Sequence, residues 1–225
     1  MKPYLVVLLI FTPCLVIAKD LDRAELERWF ESDDVLPRSI STDDVNEGEL
    51  QFLQALPDRT VHHHQNKLMI DAESVQSGWV KLHQCHENLD RVPRAQILYS
   101  KERIKELQVV SSENIGESWI EDNSVQLRNI HGKARLCVVA RTRALKMGED
   151  GIYVLRNGPF MRRFLDGYYP MWVSMEIDFS QSDLKLIAMK PMAQEGFKVK
   201  KHEGSISYDA WFEGKLSTEF RFRTR

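Results

Sequence analysis

Strict two-residue alternation of apolar and polar side chains constrains this chain more than any other feature. Met171, Val173, Met175, Ile177 and Phe179 alternate with Trp172, Ser174, Glu176 and Asp178. Ile206, Tyr208, Ala210 and Phe212 alternate with Ser205, Ser207, Asp209 and Trp211, and Leu216, Thr218, Phe220 and Phe222 alternate with Ser217, Glu219, Arg221 and Arg223. A period of two is the signature of a strand with one buried face. With Glu213-Gly214 between them, the last two runs predict a C-terminal β-hairpin.

Shorter strand signals lie at Lys67–Ile70, Gly78–Cys85, Ala95–Tyr99, Leu107–Val110, Val125–Ile130, Arg135–Ala144, Ile152–Leu155, Leu184–Met189 and Phe197–Lys200. Turn residues punctuate them at Asp122-Asn123, His131-Gly132, Glu149-Asp150-Gly151 and Glu203-Gly204. One segment near 159–166 reads as a helical insertion. Pro159 suits a first helical position, Phe160/Phe164 and Met161/Leu165 are spaced i,i+4, and Gly167 terminates. Many short strands without crossover helices predict a mainly β fold, an antiparallel β-sandwich or a barrel-like domain. An outer-membrane barrel fits less well, because alternation is unclean in the middle strands.

The N-terminus obeys a different rule. Tyr4 to Ile17 is almost unbroken apolar sequence after Lys2, and Val16-Ile17-Ala18 places small or compact residues before Lys19. That is the layout of a signal peptide over residues 1–18, cleaved after Ala18, and the run falls short of the ~20 residues needed to span a bilayer. Residues 19–58 follow as an acidic leader with twelve acidic and four basic residues. Leu21, Ala24, Leu26, Trp29 and Phe30 give it a helical stripe. Leu50, Leu53 and Leu56 suggest a short helix ending at Pro57, although Leu50/Phe52 also suits a strand. The β domain is expected over 59–225, where 26 basic residues face 21 acidic ones. The net charge of −2 lacks the basic excess of a nucleic-acid binder. The expected compartment is the periplasm, with secretion as the alternative and no transmembrane span in the mature chain.

Cleavage after Ala18 would remove Cys14 and leave Cys85 and Cys137, which an exported chain would join as a disulfide. Five of the seven histidines fall between positions 62 and 86. His62, His64, His83 and His86 form the candidate metal set, since imidazoles on neighbouring strands suit Cu or Zn. The other reading of these residues is ordinary hydrogen bonding without a cofactor. Trp172 and Trp211 fall on the polar faces of their strands, where aromatics can stack on sugars or anchor a protein. Arg156, Arg162 and Arg163 surround Asn157-Gly158-Pro159 as a basic cluster suited to phosphate, carboxylate or an anionic glycolipid.

Gly-x-Ser-x-Gly, His-Glu-x-x-His and the glycine-rich phosphate motifs are absent from the sequence. The principal expectation is therefore an exported cell-envelope protein that acts as a non-enzymatic binding or assembly factor, with an envelope protein, glycan or glycolipid as partner. The alternatives are a periplasmic Cu/Zn-binding protein and a hydrolase whose site is assembled from distant residues.

Overall fold

The computed structural model describes residues 48–54, 60–164 and 167–225. The signal-peptide and helical-leader readings lie outside the described residues. The protein is mainly β. Its strands are β1 (Gln51–Phe52), β2 (His63–Asp71), β3 (Trp79–Leu89), β4 (Arg94–Leu98), β5 (Ile104–Glu121), β6 (Ser124–Arg143), β7 (Leu145–Met147) and β8 (Tyr153–Phe160). They continue as β9 (Arg163–Phe164), β10 (Gly167–Tyr168), β11 (Met171–Gln181), β12 (Leu184–Lys190), β13 (Phe197–His202), β14 (Ser205–Glu213) and β15 (Leu216–Thr224). A helix of six residues, α1 (Ala72–Ser77), joins β2 to β3. Asp71 caps it by accepting from the Ser74 amide, and Gly78 ends it in the left-handed conformation.

Nine strands form one sheet among the described residues, in the order β1-β14-β11-β2-β3-β6-β4, with β13 added beside β14 and β5 along β6. Four form a second sheet, β12-β15-β8-β7, and β9 pairs with β10. The two larger sheets bury their apolar faces in one core, as in a β-sandwich. Leu68, Val80, Met175, Ile177 and Phe212 come from the first, and Leu155, Leu184, Phe220 and Phe222 from the second. A smaller core lies under β4, β5 and β6, around Val125, Leu127, Leu136 and Val138.

Three features depart from the sequence reading. The run 159–166 is not helical where it is described. Residues through Phe160 are extended in β8, and Arg163–Phe164 pairs with Gly167–Tyr168. The cause is local: Gly158 takes φ +93°, and the register of β15 slips between Leu216 and Thr218 opposite it. That bulge accommodates Pro159, which has no amide hydrogen for the ladder.

The second departure concerns β14 and β15, which do not pair with each other. β14 pairs with β11, β13 and β1, whereas β15 pairs with β12 and β8 in the other sheet. The chain arches from one layer to the other at Gly214, so the faces of Phe212 and Phe220 meet across the core. A hairpin and an arch share the same alternation, and only the partners separate them. The third is that the pairing is not purely antiparallel, because β2 and β11 run parallel. At the start of the described chain, Leu50 and Phe52 follow the strand alternative: Gln51–Phe52 adds an edge to β14. Among the described residues no helix is long and apolar enough to cross a membrane.

Candidate functional site

β2 and β3 are antiparallel neighbours with His64 opposite His86, Asn66 opposite Gln84 and Leu68 opposite Leu82. Alternation turns all six inward, so the core changes along these strands from hydrocarbon to amide and imidazole. His64, Asn66, Gln84 and His86 are all buried. Such groups are tolerated when they are hydrogen-bonded, and Asn66, Gln84 and His86 bond as a directed chain. Gln84 Nε2 donates to Asn66 Oδ1 at 2.8 Å. Gln84 Oε1 accepts from the Tyr99 hydroxyl at 2.5 Å and lies 3.2 Å from His86 Nε2. An amide oxygen can only accept, so His86 carries its proton on Nε2. Its Nδ1 is then the acceptor for His62 Nε2 at 3.2 Å. The relay runs from His62 through His86 and Gln84 to Asn66.

Burial dominates the electrostatics. It lowers His62 to about 4, with the Arg162 charge adding to the effect and Asp90 opposing it. It lowers His64 to about 3, helped by His62 and His63, and places His86 well below its ordinary value. Desolvation penalises the charged imidazolium, so all three rings are neutral at pH 7. The Tyr99 phenol is pushed up by the same burial.

The relay forms one wall of a cavity of about 310 Å³ between the sheets. Leu68, Leu82, Ile97, Ile104, Met175 and Phe160 supply its apolar surface, while Asn157 comes from β8 and Arg103 and Arg156 stand at exposed positions. Among the described residues no acidic side chain lines it. Phe160 sets its ring edge against His64, with centroids 5.3 Å apart. Among the described residues, the buried atoms His64 Nε2, Asn66 Nδ2 and Asn157 Nδ2 have no hydrogen-bond partner.

No protein-family model and no curated protein matches the chain. Among solved structures it is similar to an M1 zinc metallopeptidase from Deinococcus radiodurans, at 10% identity and TM-score 0.37 over 80% of this chain and 43% of that one. A mutant of that enzyme bound to a Tyr-Ser-Ala substrate aligns at 8% identity and TM-score 0.36, over 71% and 41%. The chain thus spans less than half the length of these neighbours. Likeness at this level carries no argument about function.

The opposite, outward face of the large sheet holds a second network. Trp211, Trp172 and His63 stand opposite one another on β14, β11 and β2. His63 and Trp172 stack 3.4 Å apart at 3°, and Trp172 and Trp211 stack 4.3 Å apart at 20°. Both faces of the Trp172 ring are therefore covered, which leaves its edge for contact. Ser174 Oγ donates to Asp209 at 2.6 Å and lies 2.7 Å from His63 Nε2. Because the serine proton goes to the carboxylate, His63 Nε2 donates to Ser174 instead of withdrawing its proton. Gln65 Nε2 donates to His63 Nδ1 at 3.0 Å, and Glu87 stands 3.5 Å from the same nitrogen. Burial lowers the His63 pKa, and the Glu87 charge opposes that shift.

The fold thus divides the sequence-predicted residues among separate places. His62 and His86 meet in the relay and His64 stacks beside them, but His83 is on the outward face of β3, opposite Lys67. The His64 and His86 rings lie nearly face to face, 4.3 Å between centroids at 21°, so their in-plane lone pairs do not converge on one point. A Cu or Zn ion would require them to swing apart. Arg156 pairs with Glu219 at 2.8 Å on the small sheet, Arg162 pairs with Asp90 at 2.7 Å, and Arg163 lies over the Tyr168 ring. Cys85 and Cys137, directly opposite on β3 and β6, are joined as a disulfide. Asn66, Gln84, Tyr99 and Asn157 were not singled out by sequence. The available signal was polar residues at positions in register with the core face: Asn66 two before Leu68, and Gln84 two after Leu82.

Proposed function

We propose that the chain is an exported, non-enzymatic binding protein of the cell envelope, and that it seats a small ligand in the cavity between its sheets. One observation carries this reading. A polar relay replaces hydrocarbon at the end of an apolar core and ends on Asn66, which lines the cavity together with His64; among the described residues, the buried Asn66 Nδ2 and His64 Nε2 have no hydrogen-bond partner. A buried donor left unpaired costs about 1–3 kcal/mol, so a purely structural core would have closed the relay or filled the space with apolar side chains. The neutral His64 imidazole suits hydrogen bonding to a ligand. The cavity's mixed lining, apolar walls with a few converging polar groups, is the usual composition of a small-molecule site.

The test is a fragment screen read by NMR on the folded chain, with side-chain amides and imidazoles assigned. Hits are expected to shift Asn66, Gln84, His64 and His86 together. Hits that shift only outward-facing residues would overturn the cavity as the site. The outward stack of His63, Trp172 and Trp211 supports a second reading, a surface for an envelope protein or glycan that is read through ring edges and carboxylates. A Trp172→Ala/Trp211→Ala variant that keeps its partners in envelope extracts would dispose of that reading. A Cu or Zn ion on His62, His64 and His86 is tested in the same titration, as metal-induced shifts of all three rings.

A further inference from the structure

We infer that the ligand of the inter-sheet cavity is a small uncharged carbonyl compound, an amide, ester or ketone on an apolar body, whose oxygen accepts from Asn66. This rests on the binding reading above and deepens it. The direction of the relay fixes the polarity of its open end. Gln84 Nε2 occupies Asn66 Oδ1, so what Asn66 has left to offer is its NH₂ group. Asn157 presents a second unpartnered NH₂ from the facing sheet. Two unpartnered amide donors on residues that line one space call for an acceptor, and a ligand offering donors alone would leave both unsatisfied.

Charge narrows the class further. The groups deepest in the wall, His64, Asn66, Gln84 and His86, are uncharged, and their surroundings hold even the imidazoles neutral. A carboxylate ligand would enter without a buried cation, because Arg103 and Arg156 stand at exposed positions and Arg156 is already paired with Glu219. An ammonium ligand would meet no acidic partner in the lining and would leave the Asn66 and Asn157 donors unpaired. A carbonyl oxygen satisfies the donors without bringing in a charge to be desolvated. Leu68, Leu82 and Met175 then take the apolar body.

The experiment uses four probes with one shared body: cyclohexanecarboxamide, cyclohexanecarboxylate, cyclohexylmethylammonium and cyclohexane. Each is titrated into the folded chain while the side-chain signals of Asn66, Asn157, His64 and His86 are followed. The carboxamide is expected to bind at least tenfold more tightly than either charged probe and to shift both asparagine amides. Asn66→Leu, and independently Asn157→Leu, should each weaken the carboxamide about tenfold and leave cyclohexane unaffected. Thermal melts of both variants establish that they fold, and the wild-type ranking stands as the test if one does not. A charged probe that binds best at these residues overturns the ligand class and leaves the cavity as a site. Cyclohexane binding as tightly as the carboxamide does the same, because it shows the donors unused. Four probes that leave these signals unmoved overturn both the class and the binding reading.

Discussion

Acidification should unfold this protein through its buried histidines, and the size of the effect follows from their environment. In an unfolded chain these imidazoles titrate near 6.5. In the folded protein burial lowers His62 to about 4 and His64 to about 3, and holds His86 well below its ordinary value. The unfolded state therefore binds more protons throughout that interval. Stability from these groups is full above pH 6.5 and is lost as pH falls toward the folded values. At pH 5 each such histidine has cost about 2 kcal/mol relative to pH 7, and three together reach about 6 kcal/mol. That is a large part of the 5–15 kcal/mol by which folded domains usually exceed their unfolded chains. Asp71, held at about 2 by the Ser74 amide and Lys81, adds its own loss only as pH falls below about 5. Urea denaturation at pH 7, 6 and 5 measures the loss directly. A His64→Leu variant, compared with wild type at each pH, should show a shallower decline by about 2 kcal/mol between pH 7 and 5. A wild type that keeps its stability to pH 5, or a variant with the wild-type slope, would refute the account of these imidazoles as buried and neutral.

Breaking the Cys85–Cys137 bridge frees a chain separation of 52 residues in the unfolded state, so a Cys85→Ser/Cys137→Ser variant should lose about 4 kcal/mol in urea denaturation relative to oxidised wild type and should match reduced wild type. Gly214→Ala should cost at least about 2 kcal/mol, because φ is +84° there and an added Cβ would meet the Glu49 carbonyl oxygen of the segment leading into β1; an unchanged midpoint would count against the arch between β14 and β15. Phe220→Ala empties the centre of the core and should destabilise by about 3–5 kcal/mol by the same measurement. Nitrogen-15 spectra at pH 7 should show His63 and His86 protonated on Nε2, and an Nδ1-protonated ring at either site would break the hydrogen-bond order assigned to its network.

The strands were legible wherever burial alone decides the pattern. β11, β14 and β15 bury every second residue, and each was visible as alternation. The opposition of Cys85 and Cys137 was compatible with their faces, but their register was not, because period two fixes a face and not a partner. The same limit explains the arch. Phe212 and Phe220 alternate identically whether their strands lie side by side or face each other, and only the pairing of β14 with β11 and of β15 with β8 separates the two. At Gly158-Pro159 the helical spacing was real but overruled, since β15 supplies ladder partners to Asn157 and Phe160 on either side of the bulge. The histidines were visible as a cluster in sequence, yet successive residues of a strand point to opposite faces. His63 and His64 accordingly belong to different networks, and His83 to a different face from His86.

Those two networks differ in how they end, and that difference separates structure from site. On the outward face, Gln65 donates to His63, His63 to Ser174, and Ser174 to Asp209, whose carboxylate also accepts from the Trp172 indole. The chain closes on a carboxylate, which only accepts, so it is complete within the protein and locks the tryptophan stack in place. On the inward face the proton order His62, His86, Gln84, Asn66 closes on nothing: its last member is a donor, beside an imidazole nitrogen that is also open. Both networks join a histidine to a glutamine amide, and both draw on alternating positions of β2. A relay that terminates on an acceptor holds a surface rigid, whereas one that terminates on a buried donor is completed only by something that enters from outside.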